Sequence, residues 1–538
     1  MTDVIVLGGG SAGCAMAARL AEDPRLQVLL LEAGDTDDVL ASRVPALVAT
    51  VVQNPEFDWK YSVEPDASIG GRADVWPAGK RLGGGSSING MMYVRGHAWD
   101  YDEWARRGAT GWSAAEVLPY FKRLEDNQRP GGDAGDIATA ARGRGGPQSV
   151  ADTRAPYGVT QQWIDAAVQA GVPRSPDLNG ALAEGVDHVQ ASQRGGFRHS
   201  SAAAYLRGGA ARPNLRVELK AQALGLILEG KRAVGVRYRQ NGVEHEARAS
   251  GGVVVCAGAL NSPRLLMLSG IGPGAELQAH GIRVVHDLPG VGQNLQDHVG
   301  THLVNEVAVP TLNSAVQGAG GLWQLLRFLF TRRGALTTAI GHAQAFVRTR
   351  EGLAVPNVQL IFAPFAFDLD AEGKLQMRQR AAISTAAFVA RPKARGSIGL
   401  RSADPLAAPV IRHQLLEHDD DLAQLVEGIQ FARRIVGQPA LAPAVLNEVR
   451  PGPGVEAEAL AGFCRMAAIP GYHPVGTCHM GNDALAVTDA DLRVHGLEGL
   501  WVADASVMPT LPAGNTNATC LMIGDKGADH VRRTLPNG

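Results

Sequence analysis

The chain has 538 residues, too many for one ordinary core, so its length predicts two or more domains or one domain split by insertions. Its 51 basic and 53 acidic residues leave a formal net charge of -2 with no long like-charge block, which excludes the electrostatic footprint of a nucleic-acid-binding protein. Five cysteines (Cys14, Cys256, Cys464, Cys478, Cys520) form no CxxC pair and no even disulfide framework, so all five are expected to be reduced thiols in a reducing compartment.

An apolar strand, Val4 to Leu7, begins almost at once, without the charged segment, longer apolar stretch and cleavage site of a secretory signal; a cytoplasmic location is the expectation. A glycine-rich turn follows, then an alanine-rich helix from about Ala12 to Glu22 and a second strand, Val28 to Leu31, which together read as a βαβ unit. Gly8, Gly10 and Gly13 stand at GxGxxG spacing between the strand and the helix, and Glu32 closes the second strand. Such glycines permit a tight turn, let a pyrophosphate reach backbone N–H groups at a helix N-terminus, and allow close helix-strand packing, while the acidic residue can hold a ribose hydroxyl. An acid in that place disfavours a 2′-phosphate, so FAD and NAD both remain open on this motif alone.

The next cluster, GKRLGGGSSINGMMYVRG (Gly79 to Gly96), exposes backbone N–H groups suited to a phosphate or a planar ring edge. Gln128 to Pro156, rich in Gly and Pro, reads as an exposed connection or an active-site flap and as a domain boundary. Strand patterns return at Leu215 to Leu219, Gly225 to Leu228, Ala233 to Tyr238 and Val253 to Ala257, followed by a helix from Ser262 to Ser269. The middle, Thr301 to Tyr472, mixes strand and helix without a cofactor signal and reads as a substrate domain. Within it, Leu322 to Arg333 (LWQLLRFLFTRR) joins bulky apolar residues to arginines, a composition that suits the surface of an anionic membrane. Phe362, Phe365 and Phe367 are candidates for an apolar pocket lining. No apolar run approaches the roughly 20 residues of a spanning helix. Near the C-terminus stands His473, and a histidine, whose unperturbed pKa is about 6.5, can take a hydroxyl proton near neutral pH. Cys478 and His479 lack a second ligand pair at metal spacing, so no metal site is expected. Asn517 to Val531 reads as a helix.

The Gly79 to Gly96 cluster, the stretch GALNSPRLLMLSGIG (Gly258 to Gly272), and the C-terminal run YHPVGTCHMG, WVADASVMP and AGNTN together resemble the glucose-methanol-choline (GMC) oxidoreductase family. The resemblance runs along essentially the whole chain and is strongest to its bacterial FAD-dependent alcohol dehydrogenases, near the choline dehydrogenases. It implies an α/β fold: a discontinuous Rossmann-type FAD-binding domain (residues 1–155, 208–300 and 474–538) with an inserted mixed α+β substrate-binding domain (156–207 and 301–473). It places Gly8, Gly10, Gly13 and Glu32 against the ADP half of FAD, Ala223 on the adenine side, and Gly84, Ser86, Asn89 and Met91 near the flavin. Asp504, Ala505, Asn515 and Thr516 would complete the pyrophosphate and flavin contacts. Some members carry at the Asn89 position a histidine bonded to the flavin; asparagine implies non-covalent FAD.

The resemblance also makes His473 the general base, with Asn515 orienting the alcohol oxygen, as an alcohol becomes an aldehyde or ketone by hydride transfer to flavin N5. The helix after NTN would point its positive end at the flavin and favour the anionic reduced form. Electrons would pass to a quinone-type or other acceptor, which a peripheral contact with the inner membrane would serve. Gly471 stands where oxidase relatives can carry a bulkier side chain, which argues against oxygen. An oxidase that turns O2 into H2O2 is the alternative, a hydroxynitrile lyase a further one; an NAD-dependent dehydrogenase and a non-catalytic flavoprotein are weaker rivals. His97, His298, His302 and His342 match no catalytic motif and are read as structural or substrate-adjacent. The identity of the alcohol and the oligomeric state are not encoded in any motif.

Overall fold

The computed structural model describes residues 2–129, 141–180, 184–207, 212–369 and 375–535. Strand Thr2–Leu7 runs parallel to Val28–Leu31 on one side and to the end of Val243–Val255 on the other. Leu215–Glu218 extends this parallel layer beyond Val28–Leu31, and Leu500–Val502 extends it beyond Val253–Val255. Val28–Leu31 is buried at every position, as a parallel strand covered on both faces must be. The long strand Val243–Val255 serves two partners: its first half continues an antiparallel meander of Ala221–Glu229 and Arg232–Gln240.

Helix Ser11–Leu20 packs on this sheet and against the C-terminal helix Asn517–Thr534. The two helices touch backbone to backbone: a Cβ on Gly524 would lie 2.2 Å from the Ala12 carbonyl oxygen. The C-terminal helix is thereby held beside the glycine-rich turn, and its head is fixed with it.

A second seven-stranded sheet has the order Val445–Arg450, Val299–Val307, Ala382–Val389, Val358–Ala363, Ala343–Val347, Gly185–His188, with short Ile469–Pro470 beside Val299–Val307. All these pairings are antiparallel. Helices Asp419–Val436 and Gly158–Gln169 supply the core of that sheet through Leu425, Ile429, Ile435, Trp163 and Ile164.

Three expectations need correction. Phe362 is no pocket wall: it is fully buried and stacks on Trp163 at 5.2 Å in the core of the second sheet. Phe365 is also buried and meets Phe367 edge-to-face at 5.4 Å, in a small cluster with Leu312 and Ala335. The expected flap from Gln128 to Pro156 falls partly, at 130–140, outside the described residues. Its second half is not an exposed connection, because Gln148–Asp152 pairs with Glu125–Asn127, and buried Arg142 bonds Glu125 at 2.7 Å and Asp177 at 3.0 Å. Finally, Ile398, Leu400 and Ile411, inside the stretch assigned to the substrate domain, pack in the core of the first sheet.

All five cysteines are unpaired thiols. Among the described residues no helix is long and apolar enough to cross a membrane.

Candidate active site

At Gly8 and Gly13 the glycine turn is shaped by backbone contacts that leave no room for side chains. Gly8 has φ of 103°, and a Cβ on Gly13 would lie 1.8 Å from the Gly8 carbonyl oxygen. Helix Ser11–Leu20 starts at Gly10 with no side-chain cap, so its first N–H groups are directed at the space in front of the turn. Glu32 turns both oxygens inward, accepting from the N–H of Gly9 at 2.8 Å and of Gly34 at 2.7 Å; burial pushes its pKa up to about 7 against those two bonds. Ala221 donates its N–H to the Glu32 carbonyl, which brings Ala223, on the same strand, to this end of the sheet.

The second glycine cluster folds directly over the first. Gly83 donates to the Gly9 carbonyl at 2.6 Å, and a Cβ on Gly84, whose φ is 53°, would come within 2.7 Å of Gly10. Ser86 is buried and committed to the protein: its hydroxyl bonds the Gly83 carbonyl at 2.6 Å and Ser201 Oγ at 2.9 Å. Asn89 Oδ1 accepts from Met91 N–H at 3.0 Å and from Arg198 Nη1 at 2.8 Å. Arg198, whose pKa is pulled down to about 10 by burial, is a site residue the sequence did not disclose. Met91 has φ of 63° and buries its side chain against Ala191 and Ala339.

Asp504 accepts four bonds, from Gly258 N–H (2.8 Å), Ser262 Oγ (2.5 Å), Ser506 N–H (2.8 Å) and Ser506 Oγ (2.6 Å). Its carboxylate therefore staples the loop before the C-terminal helix to helix Gly258–Leu268, and any ligand contact from Asp504 and Ala505 falls to their backbone. Thr516 begins the C-terminal helix without a side-chain cap. At that head, Asn515 Oδ1 and Asn517 Oδ1 are buried with no donor.

The strand register assembles the histidine centre. Val299 pairs with Pro470 and Gly300 with Ile469, so the residues just outside the pairing, His298 and Gly471 to His473, meet; Gly471 N–H bonds the His298 carbonyl at 2.6 Å. Asp297 then grips the turn, accepting from Tyr472 N–H at 3.1 Å and His473 N–H at 2.7 Å, with Tyr472 at φ of 60°. His473 Nδ1 lies 2.9 Å from His298 Nδ1, and His473 Nε2 lies 3.0 Å from Asn515 Nδ2.

The tautomers follow from the far end. His298 Nε2 lies 3.2 Å from the Ala390 carbonyl, which only accepts, so Nε2 carries the proton and His298 Nδ1 is an acceptor. His473 Nδ1 must then be the donor. Its Nε2 keeps the lone pair, facing Asn515. Burial lowers His473 to about 4 and His298 well below its ordinary value, so both are neutral at pH 7. His298, read from the sequence as structural or substrate-adjacent, is thus the hydrogen-bond partner of His473.

Asp297, His298 and His473 could also be viewed as metal ligands, since their donor atoms lie within 4.8 Å of one another. Both Asp297 oxygens already take backbone N–H bonds and the two Nδ1 atoms share a proton, which makes the cluster a hydrogen-bonded chain. Gly471 is required by this packing, because a Cβ there would lie 2.8 Å from His298 Cβ and 3.0 Å from His473 Nδ1. Cys478 and His479 lie outside the cluster; His479 Nε2 pairs with Asp483 at 3.1 Å.

Two family descriptions, both GMC oxidoreductase, match residues 2–300 and 392–524. The "Oxygen-dependent choline dehydrogenase" of Brucella anthropi is 40% identical over 538 residues, covering 99% of this chain and 96% of its own. An uncharacterised GMC-type oxidoreductase of Mycobacterium bovis is also 40% identical, with 99% of each chain covered. Among solved structures, pyridoxine 4-oxidase from Mesorbium loti superposes with a TM-score of 0.87 at 29% identity over 99% of each chain. Aspergillus oryzae formate oxidase superposes at 0.90 and 25% identity, covering 99% of this chain and 98% of that one. The glycine cradle, the histidine centre and these matches along the whole length agree: the chain belongs to the GMC oxidoreductase family, whose cofactor is FAD.

Proposed function

We propose that this protein oxidises an alcohol to an aldehyde or ketone, with His473 as general base and Asn515 orienting the substrate oxygen. The observation that carries the reading is the chain Ala390 carbonyl, His298, His473, Asn515, which presents a neutral imidazole with its Nε2 lone pair toward the asparagine amide. Relatives whose names specify choline, pyridoxine or aryl alcohols support an alcohol as the substrate class.

The residues present fit FAD. The uncapped head of helix Ser11–Leu20, and a turn at Gly10 that Gly84 approaches without a side chain, suit a pyrophosphate. The two donor-less amide oxygens of Asn515 and Asn517 suit ring N–H groups. Gly8, Gly10, Gly13, Glu32 and Ala223 would hold the ADP half; Gly84, Ser86, Asn89 and Met91, with the backbone of Asp504 and Ala505, Asn515 and Thr516, the remainder. Asn89, already bonded by Arg198, forms no covalent link. FAD, when bound, supplies the acceptor for the hydride leaving the carbinol carbon.

The substrate hydroxyl donates to His473 Nε2, and Asn515 Nδ2, released from the imidazole, donates to the oxygen as negative charge builds there. As His473 becomes a cation, His298 Nδ1 and the Ala390 carbonyl accept along the chain and hold the ring in place. A quinone-type carrier then takes the electrons. Oxygen is the second reading, favoured by the oxygen-dependent and oxidase names among the relatives. His473→Ala tests the proposal: it should retain yellow FAD while anaerobic flavin reduction slows by roughly 10²–10⁴-fold. An unchanged rate would remove His473 from the chemistry.

A further inference from the structure

We propose that helix Ala319–Thr331 seats the enzyme on an anionic lipid surface. Only Gln324 and Phe328, one turn apart, face the protein. Leu322 and Trp323 are each 63% exposed and Phe330 85%, with Leu325, Leu326 and Leu329 also outside. At the angular step of a helix these six side chains cover an arc of roughly 160°, opposite the buried pair. Solvated helices carry polar residues on that arc; this one carries none.

The helix is firmly mounted. Gln324 Oε1 accepts the N–H of Ala335 at 3.0 Å, Phe328 meets Phe197 edge-to-face at 5.4 Å, and Arg154 Nε donates to the Arg332 carbonyl at 2.9 Å. Its apolar arc is therefore held out on a rigid base and is not a helix awaiting a place in the core.

Charge selects the occupant. No acidic residue occurs between Glu306 and Glu351, and Arg327, Arg332 and Arg333 border the arc with no ion-pair partner among the described residues. Arg332 instead stacks on Phe197 and Phe328 at 4.9 and 5.1 Å. A second copy packed on this helix would bring no acidic side chain from the same stretch to Arg327 and Arg333, whereas anionic headgroups can meet both while the aromatic and leucine side chains enter the acyl boundary. Ile340, 45% exposed, lies on Gly90, where a Cβ would approach it to 2.8 Å. On the reading of Asn89 and Met91 given above, Ile340 lies beside the flavin side of the site; the docking itself does not depend on that reading.

The test is flotation of the full FAD-loaded protein with vesicles of phosphatidylcholine alone or mixed equally with phosphatidylglycerol. Binding is expected only to the mixed vesicles and should weaken as salt rises. Trp323→Asp combined with Phe330→Asp should abolish it, and Arg327→Gln combined with Arg333→Gln should reduce affinity roughly 25-fold, about fivefold per arginine. Flavin absorbance and thermal midpoint confirm that the exposed substitutions leave the fold intact. Protein that stays unbound with the mixed vesicles, or variants that float as well as the parent, would overturn the proposal. So would a solution dimer that the Trp323 and Phe330 substitutions dissociate without any vesicle binding, since the face would then belong to a second copy.

Discussion

The glycine cradle and the histidine centre reach comparable order by opposite routes. The cradle is built mainly from one continuous stretch, in which Gly8, Gly10, Gly13 and Glu32 are fixed by a single strand-turn-helix-strand unit. The histidine centre has no such unit. His298, His473 and Asn515 come from three separated segments and meet because Val299 pairs with Pro470 and because Gly524 lets the C-terminal helix close on Ala12. A local motif is robust to distant change and fails through its own backbone; an assembled centre fails whenever the register or a linking proton is disturbed.

Gly10→Ala should break the cradle with the largest effect. Nothing in the protein obstructs a methyl there, the nearest atom being Gly84 Cα at 4.0 Å, so apo stability should hold while FAD affinity falls roughly 100-fold from crowding of the ligand itself. Titration of apoprotein with FAD, monitored by flavin fluorescence, reads it. Unaltered affinity would place the pyrophosphate elsewhere.

His298 sharpens the other half of the comparison. His298→Leu removes the acceptor for His473 Nδ1–H and should slow flavin reduction roughly 10–100-fold, the equivalent of about 1–3 kcal/mol for an orphaned buried donor. His298→Asn, whose amide oxygen can stand in for Nδ1, should recover most of that rate. Equal loss in both variants, with an unchanged pH profile, would reduce His298 to a packing role. Asn515→Ala should cost about tenfold through loss of one hydrogen bond to the substrate oxygen, again read in single turnover.

The smallest expected effect is that of mild acid. With His473 held near 4 by burial, its neutral, proton-accepting form persists well below the ordinary histidine value. Lowering pH from 7 to 5.5 should therefore change kcat/KM by less than about twofold, and the fall should come as pH approaches 4. A base at an ordinary pKa of about 6.5 would lose roughly tenfold over the same interval.

The sequence disclosed the cradle well, because glycine spacing is a direct consequence of turn geometry, and it disclosed His473 through the resemblance of YHPVGT to a family motif. It did not disclose His298, whose role depends on which residues lie outside a two-residue strand pairing, nor Arg198, which reaches Asn89 across 109 positions of chain. Phe362 was misjudged because a buried aromatic in a strand has the same local pattern as a pocket wall; only the Trp163 stack distinguishes them. Composition alone misreads the Gly- and Pro-rich stretch before Pro156, since Arg142 finds its carboxylate partners at Glu125 and Asp177 in other segments.

Anaerobic mixing of the FAD-loaded protein with a panel of alcohols, monitored at the flavin band, tests the central claim most directly. Alcohol oxidation predicts bleaching of the yellow flavin by at least one alcohol, with the matching aldehyde or ketone formed in equal amount. A flavin that stays yellow while a cyanohydrin is cleaved to a carbonyl compound and cyanide would contradict that claim and identify a lyase.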